Sequence, residues 1–211
     1  MYLYGRSIPG YYLVALLGII LASLVAIRAA GGPVRRMLPY VDLAFLGAAF
    51  LLLETRAITG FALLFGTTWV VNAIVFAGVL LVVLAAVEVT RHWSTPPLRL
   101  LYLALAGTLL LAGLVPPDLL LQLPLVPRAL TAVLVAFLPV FVANLIFAKR
   151  FNDTADATSA FAANLLGAIV GGCLEYLSLV VGYQMLIALA AALYLAALLS
   201  SPRSSQLATP S

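Results

Sequence analysis

Long apolar stretches dominate the chain and are separated by short polar or proline-containing breaks. Polar residues rarely interrupt them, and the strict alternation of a half-buried strand is missing. Each stretch is close to the ~20 residues that an α-helix needs to cross the hydrocarbon core of a bilayer. The pattern predicts seven membrane-spanning helices, at residues 11–30, 41–66, 67–90, 98–115, 128–148, 158–181 and 183–200.

The breaks carry residues that end or bend helices. Gly31, Gly32 and Pro33 end the first segment, because glycine favours a helix end and proline cannot continue the helix. The second and third segments follow each other without a gap, which predicts a tight antiparallel hairpin. Pro139 lies inside the fifth segment, where its missing N–H predicts a bend. Residues 116–127 are apolar but too short to cross, so we expect them at the interface or dipping back into the bilayer.

Composition supports this interpretation. Of the 211 residues, 65% are hydrophobic and 9% are charged, against about 45–50% and about 25% in ordinary globular domains. Such a chain cannot cover itself with polar surface, which excludes a water-soluble monomer. In a bilayer each backbone amide must be satisfied within its own segment. The predicted fold class is therefore all-α, a polytopic transmembrane helix bundle of about seven spans, with one domain at 1–200 and a polar tail at 201–211.

The basic residues predict an orientation. The chain has 11 Lys and Arg residues against 7 Asp and Glu residues. With seven spans, one side of the membrane receives eight of the basic residues: Arg28, Arg35, Arg36, Arg91, Arg99, Lys149, Arg150 and Arg203. The positive-inside rule then predicts a multi-pass protein of the inner (plasma) membrane, with its N-terminus outside and its C-terminus cytoplasmic. The basic residues are too scattered to track a phosphate backbone, so the bilayer rather than nucleic acid is the predicted partner.

Residues for catalysis or metal binding are scarce. Cys173 is the one cysteine and His92 the one histidine, which excludes an internal disulfide and a multi-cysteine metal site and removes most histidine-based schemes. Phosphate-binding glycine loops, a nucleophile elbow and a zinc-binding His-Glu helix are also absent from the sequence. We therefore predict no catalytic residues, no metal and no cofactor. Asp156 or Thr158 is expected to cap the sixth helix.

Three ionisable residues fall inside predicted spans. Glu54 and Arg56 lie near the middle of the second span, and Glu175 lies in the outer part of the sixth. Each costs roughly 2.5–3.5 kcal/mol on insertion scales, so each needs a partner or a wet cavity. Glu54 and Arg56 are two residues apart, about 200° around a helix, and must find partners on other helices. We expect Arg56 to pair with Glu175.

Small and polar residues follow one face of the sixth predicted helix. Their spacing of 3, 4, 4, 3 and 4 places six residues on that face: Asn164, Gly167, Gly171, Glu175, Ser178 and Gly182. Small residues let a neighbouring helix approach closely. The face is either a packing seam or the wall of a substrate or proton path. Asn72 and Asn144 are expected to form hydrogen bonds between helices.

Three blocks of sequence resemble a known family. Residues 50–81 (FLLLETRAITGFALLFGTTWVVNAIVFAGVLL) and 160–199 (AFAANLLGAIVGGCLEYLSLVVGYQMLIALAAALYLAALL) resemble the membrane region of large bacterial spermidine-synthase-like proteins. In that family a domain similar to aminopropyltransferases or S-adenosylmethionine-dependent methyltransferases is fused to polytopic, major-facilitator-like segments. Residues 3–17 (LYGRSIPGYYLVALL) resemble the junction between the two parts.

The resemblance implies a membrane module that has no catalytic domain of its own. The chain lacks a nucleotide-binding strand–turn–helix, so the resemblance implies a role in anchoring or assisting a transferase-like protein or other membrane subunits. Two further interpretations stay open. The chain is alternatively a small-molecule or proton-coupled permease, with Glu54, Arg56 and Glu175 lining the path. It is otherwise an intramembrane enzyme that uses Glu175 as an acid or base on a lipid-soluble substrate.

Overall fold

The computed structural model describes residues 10–31, 34–177 and 182–201. These ranges are helical and contain no strand. Their α-helices are α1 (Gly10–Gly31), α2 (Val41–Phe65), α3 (Trp69–His92), α4 (Leu98–Leu114), α5 (Pro117–Leu121), α6 (Leu125–Asn152), α7 (Ala157–Leu174) and α8 (Met185–Ser200). Short 3-10 turns at Val34–Arg36 and Leu38–Tyr40 precede α2, and another at Glu175–Leu177 follows α7.

A helix lies at each of the seven predicted segments, and the short α5 occupies part of the 116–127 segment. Four helices are long and apolar enough to cross a membrane: Leu38–Phe65, which is α2 with its preceding turn, and α3, α6 and α7. The all-helical fold class is therefore confirmed for the described ranges, with four candidate membrane-spanning helices, whereas the count of seven spans stays a prediction. Most helix boundaries lie within two residues of the predicted ones, and the differences are larger at both ends of α6 and at the end of α7. Helix α6 begins at Leu125, with Pro127 in its first turn, where proline costs no hydrogen bond. The α-helical part of α7 ends at Leu174, and residues 178–181 lie outside the described part.

The hairpin and the cap that the sequence predicts are present. Between α2 and α3 only residues 66–68 intervene, and the Thr68 hydroxyl accepts a hydrogen bond from the Val71 N–H at 3.3 Å. Asp156 is the N-cap of α7, because its carboxylate accepts bonds from the Ser159 N–H at 3.1 Å and the Ser159 hydroxyl at 2.6 Å. Such caps satisfy amide donors that the first helical turn leaves unpaired.

Contacts between helix ends fix the relative directions of the helices. Helix α2 begins beside the end of α6, where Arg150 contacts Asp42, so these two helices are antiparallel. Tyr102 in the first half of α4 lies within electrostatic range of Asp42 at the start of α2, and Ala112 near the end of α4 contacts Arg56 in the second half of α2, so α2 and α4 are parallel. The starts of α2 and α4 and the ends of α3 and α6 therefore share one end of the bundle. We call it the basic end; it carries Arg35, Arg36, Arg91, Arg99 and Lys149.

Helix α2 is the centre of the bundle. It packs against α3, α6, α7 and α8, and its residues Leu43, Ala49 and Leu52 have no exposed surface. Outer faces of the bundle are apolar as well: Leu80 on α3 and Leu103 on α4 are each 69% exposed. Contiguous apolar surface of this kind marks a contact with a partner or with a membrane in a folded protein. The acyl tails of lipids are apolar too and are therefore suited to cover these outer faces.

Candidate functional site

Helices α2 and α7 touch through their backbones. A Cβ atom built on Gly167 would collide with the Ala44 carbonyl, and one built on Gly171 would lie 2.5 Å from the Ala48 carbonyl oxygen. Both contacts are with main-chain atoms, which cannot move aside as a flexible side chain can. Glycine at these two positions is therefore what permits the close approach, as small residues do at many membrane helix interfaces.

A polar contact extends this interface towards the basic end. The side-chain amide of Asn164 donates a hydrogen bond to the Leu43 carbonyl at 3.0 Å. On α2, Gly47 faces the Asn164 backbone, and a Cβ atom there would also collide. Positions 43 to 48 thus meet positions 164 to 171 in increasing order, so α2 and α7 are parallel. These contacts favour the packing-seam interpretation of the α7 face.

The predicted six-residue face is shorter in the structure. Gly182 adopts φ of 90°, in the turn before α8 rather than in a helix, and apart from its chain neighbours no described residue lies within 4 Å of a Cβ atom built there. Its assignment to the packing face is therefore wrong: extrapolating a helical period past Leu174 ignored the turn that a positive φ requires. Ser178, also assigned to this face, lies outside the described residues.

Glu175 and Arg56 find different partners from the expected ones. The Thr55 hydroxyl donates to the Glu175 carboxylate at 2.6 Å, while the Arg56 guanidinium donates to the Ala112 carbonyl at 2.6 Å. Among the described residues no ion pair joins Arg56 to Glu175, so that prediction is wrong. The reason is rotational: adjacent residues differ by 100° around a helix, so Thr55 faces α7 and Arg56 faces α4.

Arg56 acts as a cap from outside the capped helix. Ala112 lies in the last turn of α4, where carbonyl groups have no intrahelical donor. A guanidinium at that position satisfies one such carbonyl and interacts favourably with the negative end of the helix dipole. Its Nε atom is buried and has no hydrogen-bond partner among the described residues. Arg56 and Tyr183 line a small cavity of about 40 Å³ there.

The other predicted polar residues do not converge on one site. Glu54 is half-buried on α2 and has no hydrogen bond or ion pair with any described residue. Asn144 is buried but bonds to the Val140 carbonyl of its own helix at 2.8 Å, so its expected bond between helices is wrong. A short amide side chain on a helix can reach the carbonyl four residues back, and here it does. Asn72 makes no side-chain hydrogen bond within the described ranges.

A buried polar cluster at the basic end was not anticipated. Arg150 Nε donates to the Asp42 carboxylate at 2.5 Å, and the two side chains are 10% and 1% exposed. Tyr102 lies within electrostatic range of both groups, and Tyr194 lies within range of Tyr102. The other Asp42 oxygen and the Tyr194 hydroxyl are buried without a hydrogen-bond partner in the described part. We call these four residues the polar cluster.

The sequence held one signal for this cluster. Asp42 is an isolated acid at the start of an apolar segment, and a buried acid requires a cation. In the sequence Arg150 serves only as a marker of membrane topology, and nothing near it indicates a pairing with Asp42. The two residues are 108 positions apart, and neither span length nor periodicity relates them. Tyr102 resembles an ordinary residue of an aromatic belt.

The basic end also carries an exposed acid with a defined role. The hydrogen bonds from Ser159 to Asp156 lower the pKa of this carboxyl below its usual value, because they favour the charged form.

The described residues include no group of three or more His, Cys, Asp or Glu side chains that could hold a metal ion. Comparison with protein-family models, curated proteins and solved structures gave no match.

Proposed function

We propose that the chain is a membrane module that crosses the bacterial inner membrane seven times and holds a transferase-like partner at its cytoplasmic face. The distribution of charge over the two ends of the bundle carries this proposal. Arg35, Arg36, Arg91 and Arg99 are exposed at the basic end. At the opposite end Arg128 folds back onto a carbonyl of its own chain. Free guanidinium groups on one face are suited to receive an acidic protein surface.

Seven crossings agree with the alternating helix directions. Helices α4 and α8 have 17 and 16 residues, or about 26 and 24 Å at ~1.5 Å per residue. These lengths are close to the short limit for a spanning helix, about 17 residues, and the flanking turns add to them. With the basic end in the cytoplasm, the positive-inside rule places the N-terminus outside and the C-terminus inside.

The transferase-like character of the partner rests on the resemblance of residues 50–81 and 160–199 to the membrane region of spermidine-synthase-like proteins. In that family the soluble domain and the membrane segments form one chain. We therefore propose that this membrane module works together with a transferase-like protein. The exposed arginines give such a protein a place to bind.

The topology can be tested with single cysteines in a Cys173→Ser background. Ser94 lies at the basic end and Asp118 at the opposite end, and both are exposed. In intact cells we expect a membrane-impermeant maleimide to label Asp118→Cys and to leave Ser94→Cys unlabelled until the membrane is opened. Labelling of both from outside, or the reverse pattern, would contradict the proposed orientation.

The partner can be tested by purification from native membranes in mild detergent. We expect a protein with a nucleotide- or S-adenosylmethionine-binding domain to co-purify with the wild-type chain. Arg91→Gln at the basic end should weaken its retention several-fold, and Arg128→Gln at the opposite end serves as the control of equal charge change. A chain that purifies alone, or equal retention by both variants, would contradict the proposal, provided that cysteine labelling shows unchanged topology.

One observation favours a permease as the second candidate. Glu54 is a half-buried carboxyl halfway along α2 that has no partner among the described residues, whereas Glu175 and Arg56 are engaged by Thr55 and Ala112. A free carboxyl at this depth is a natural proton carrier. Proton flux into liposomes should fall with Glu54→Gln and not with Glu88→Gln on α3. Equal flux in both variants would remove Glu54 from any path.

A further inference from the structure

A long groove separates α4 from α8. The two helices are antiparallel: Gly113 near the end of α4 faces Ile187 near the start of α8, and Tyr102 lies near Tyr194 towards the basic end. Between them lies a groove of about 1200 Å³, which exceeds the roughly 300–1,000 Å³ of ordinary small-molecule pockets. The groove follows both helices for most of their length.

The walls of the groove are apolar. Five leucines in its lining are more than half exposed: Leu103, Leu110, Leu114, Leu195 and Leu199. From Arg99 to Gly113 the groove spans 14 helical residues, or about 21 Å at ~1.5 Å per residue. One leaflet contributes about 15 Å of the ~30 Å hydrocarbon core. A lipid tail of one leaflet therefore fits lengthwise.

The end of the groove at the basic end is polar. Arg99 is exposed there and has no hydrogen bond or ion pair with any described residue. Tyr102 follows one turn deeper along α4, and the Tyr194 hydroxyl across from it is buried without a partner. A buried hydroxyl without a hydrogen bond is costly, and each such group in a native structure calls for a water or a ligand. The Asp42–Arg150 pair lies within electrostatic range of Tyr102.

We propose that this groove binds one anionic phospholipid of the cytoplasmic leaflet. Its phosphate pairs with Arg99, its glycerol ester oxygens accept a hydrogen bond from Tyr194, and one acyl chain lies along the leucines. The order of cation, hydroxyl and apolar strip matches the order of phosphate, ester and tail in a phospholipid. A neutral lipid would leave Arg99 without a counter-charge. The proposal requires the membrane location and is independent of a transferase-like partner.

Native mass spectrometry of the full chain can test this site. Protein purified from bilayers that contain equal amounts of phosphatidylglycerol and phosphatidylcholine should retain phosphatidylglycerol about fivefold better, the factor expected from one basic residue beside an anionic headgroup. Arg99→Gln should abolish this preference, and Arg128→Gln at the opposite end should not. Tyr194→Phe should also lower retention while the helix content stays unchanged. Leu110→Trp, at a position 67% exposed, should fill the groove and lower retention of both lipids.

Four results would overturn the proposal. The first is equal retention of the two lipids by the wild-type chain. The second is the same loss in Arg99→Gln and Arg128→Gln. The third is displacement of phosphatidylglycerol by millimolar inorganic phosphate, which would indicate a simple anion site. The fourth is an efficient disulfide between two Leu103→Cys chains in a Cys173→Ser background, which would show that a second copy fills the groove.

Discussion

The buried Asp42–Arg150 pair should be among the most sensitive points of the fold. The two side chains are 1% and 10% exposed and are joined at 2.5 Å, so removal of one partner leaves the other buried and uncompensated. Breaking such a pair typically costs about 3–5 kcal/mol, most of it the desolvation of the remaining charge. We therefore expect Asp42→Asn to lower the free energy of unfolding by about 3–5 kcal/mol.

A double-mutant cycle separates the interaction energy of the two side chains from the contributions of their surroundings. Asp42→Asn, Arg150→Gln and the double variant should show a coupling energy of about 2–3 kcal/mol, because the second substitution removes the charge that the first one stranded. The exposed Glu88–His92 pair is the control, with side chains 55% and 57% exposed. Its removal should cost at most about 1 kcal/mol.

Unfolding in mixed micelles with an increasing SDS fraction, followed by far-UV circular dichroism, measures these values. The linear dependence of the unfolding free energy on denaturant gives each difference from the shift of the midpoint. If Asp42→Asn costs no more than Glu88→Gln, or if the coupling energy is close to zero, the pair does not have the energetic role that its burial implies.

Three further predictions concern the α2–α7 interface and its cap. Gly167→Ala should destabilise the protein by about 1–3 kcal/mol through overpacking. Gly60→Ala should stabilise it by up to about 1 kcal/mol, because beyond its own stretch of helix no described residue lies within 4 Å of the added Cβ. Thermal unfolding in detergent compares the two variants, and equal midpoints would contradict the backbone contact. Thr55→Val should cost about 1.5–3 kcal/mol, the value of a hydrogen bond to a charged group, and the loss should fall to about 0.5–1.5 kcal/mol in a Glu175→Gln background, where the amide oxygen still accepts a neutral hydrogen bond. Asp156→Ala should lower the free energy of unfolding at neutral pH. Because the folded-state pKa of this carboxyl is lowered, the wild-type advantage should disappear as the pH falls below the ordinary aspartate pKa and through the folded-state pKa. A stability difference that persists at still lower pH would contradict this.

Local signals made the helices predictable from the sequence. Span length, Gly66 at the turn after α2, and the Asp156 cap each depend on residues close together in the chain, so hydropathy and capping rules locate them. The glycine face of α7 was recognisable for the same reason, because Gly167 and Gly171 repeat at helical spacing. Sequence spacing alone could not identify Ala44 and Ala48 on α2 as the surface they pack against.

The site residues were harder to predict, because sequence gives the depth of a residue in the membrane better than the direction it faces. Arg56 and Glu175 were expected to pair from their depths, but the rotation of α2 turns Thr55 towards Glu175 and Arg56 towards the end of α4. The polar cluster depends on the same missing information. Its members come from four helices, and the packing of those helices alone brings Asp42 and Arg150 together.

The parallel contact between α2 and α7 has a consequence for biosynthesis. About 120 residues separate the two surfaces, so α7 emerges from the ribosome long after α2. Until then the backbone of α2 around Ala44 and Ala48 lacks its complement, and Thr55 has no acceptor on α7. Nascent chains stalled before residue 157 should therefore be held by the insertion machinery or by a membrane chaperone, and should be removed by quality-control proteases faster than the finished protein.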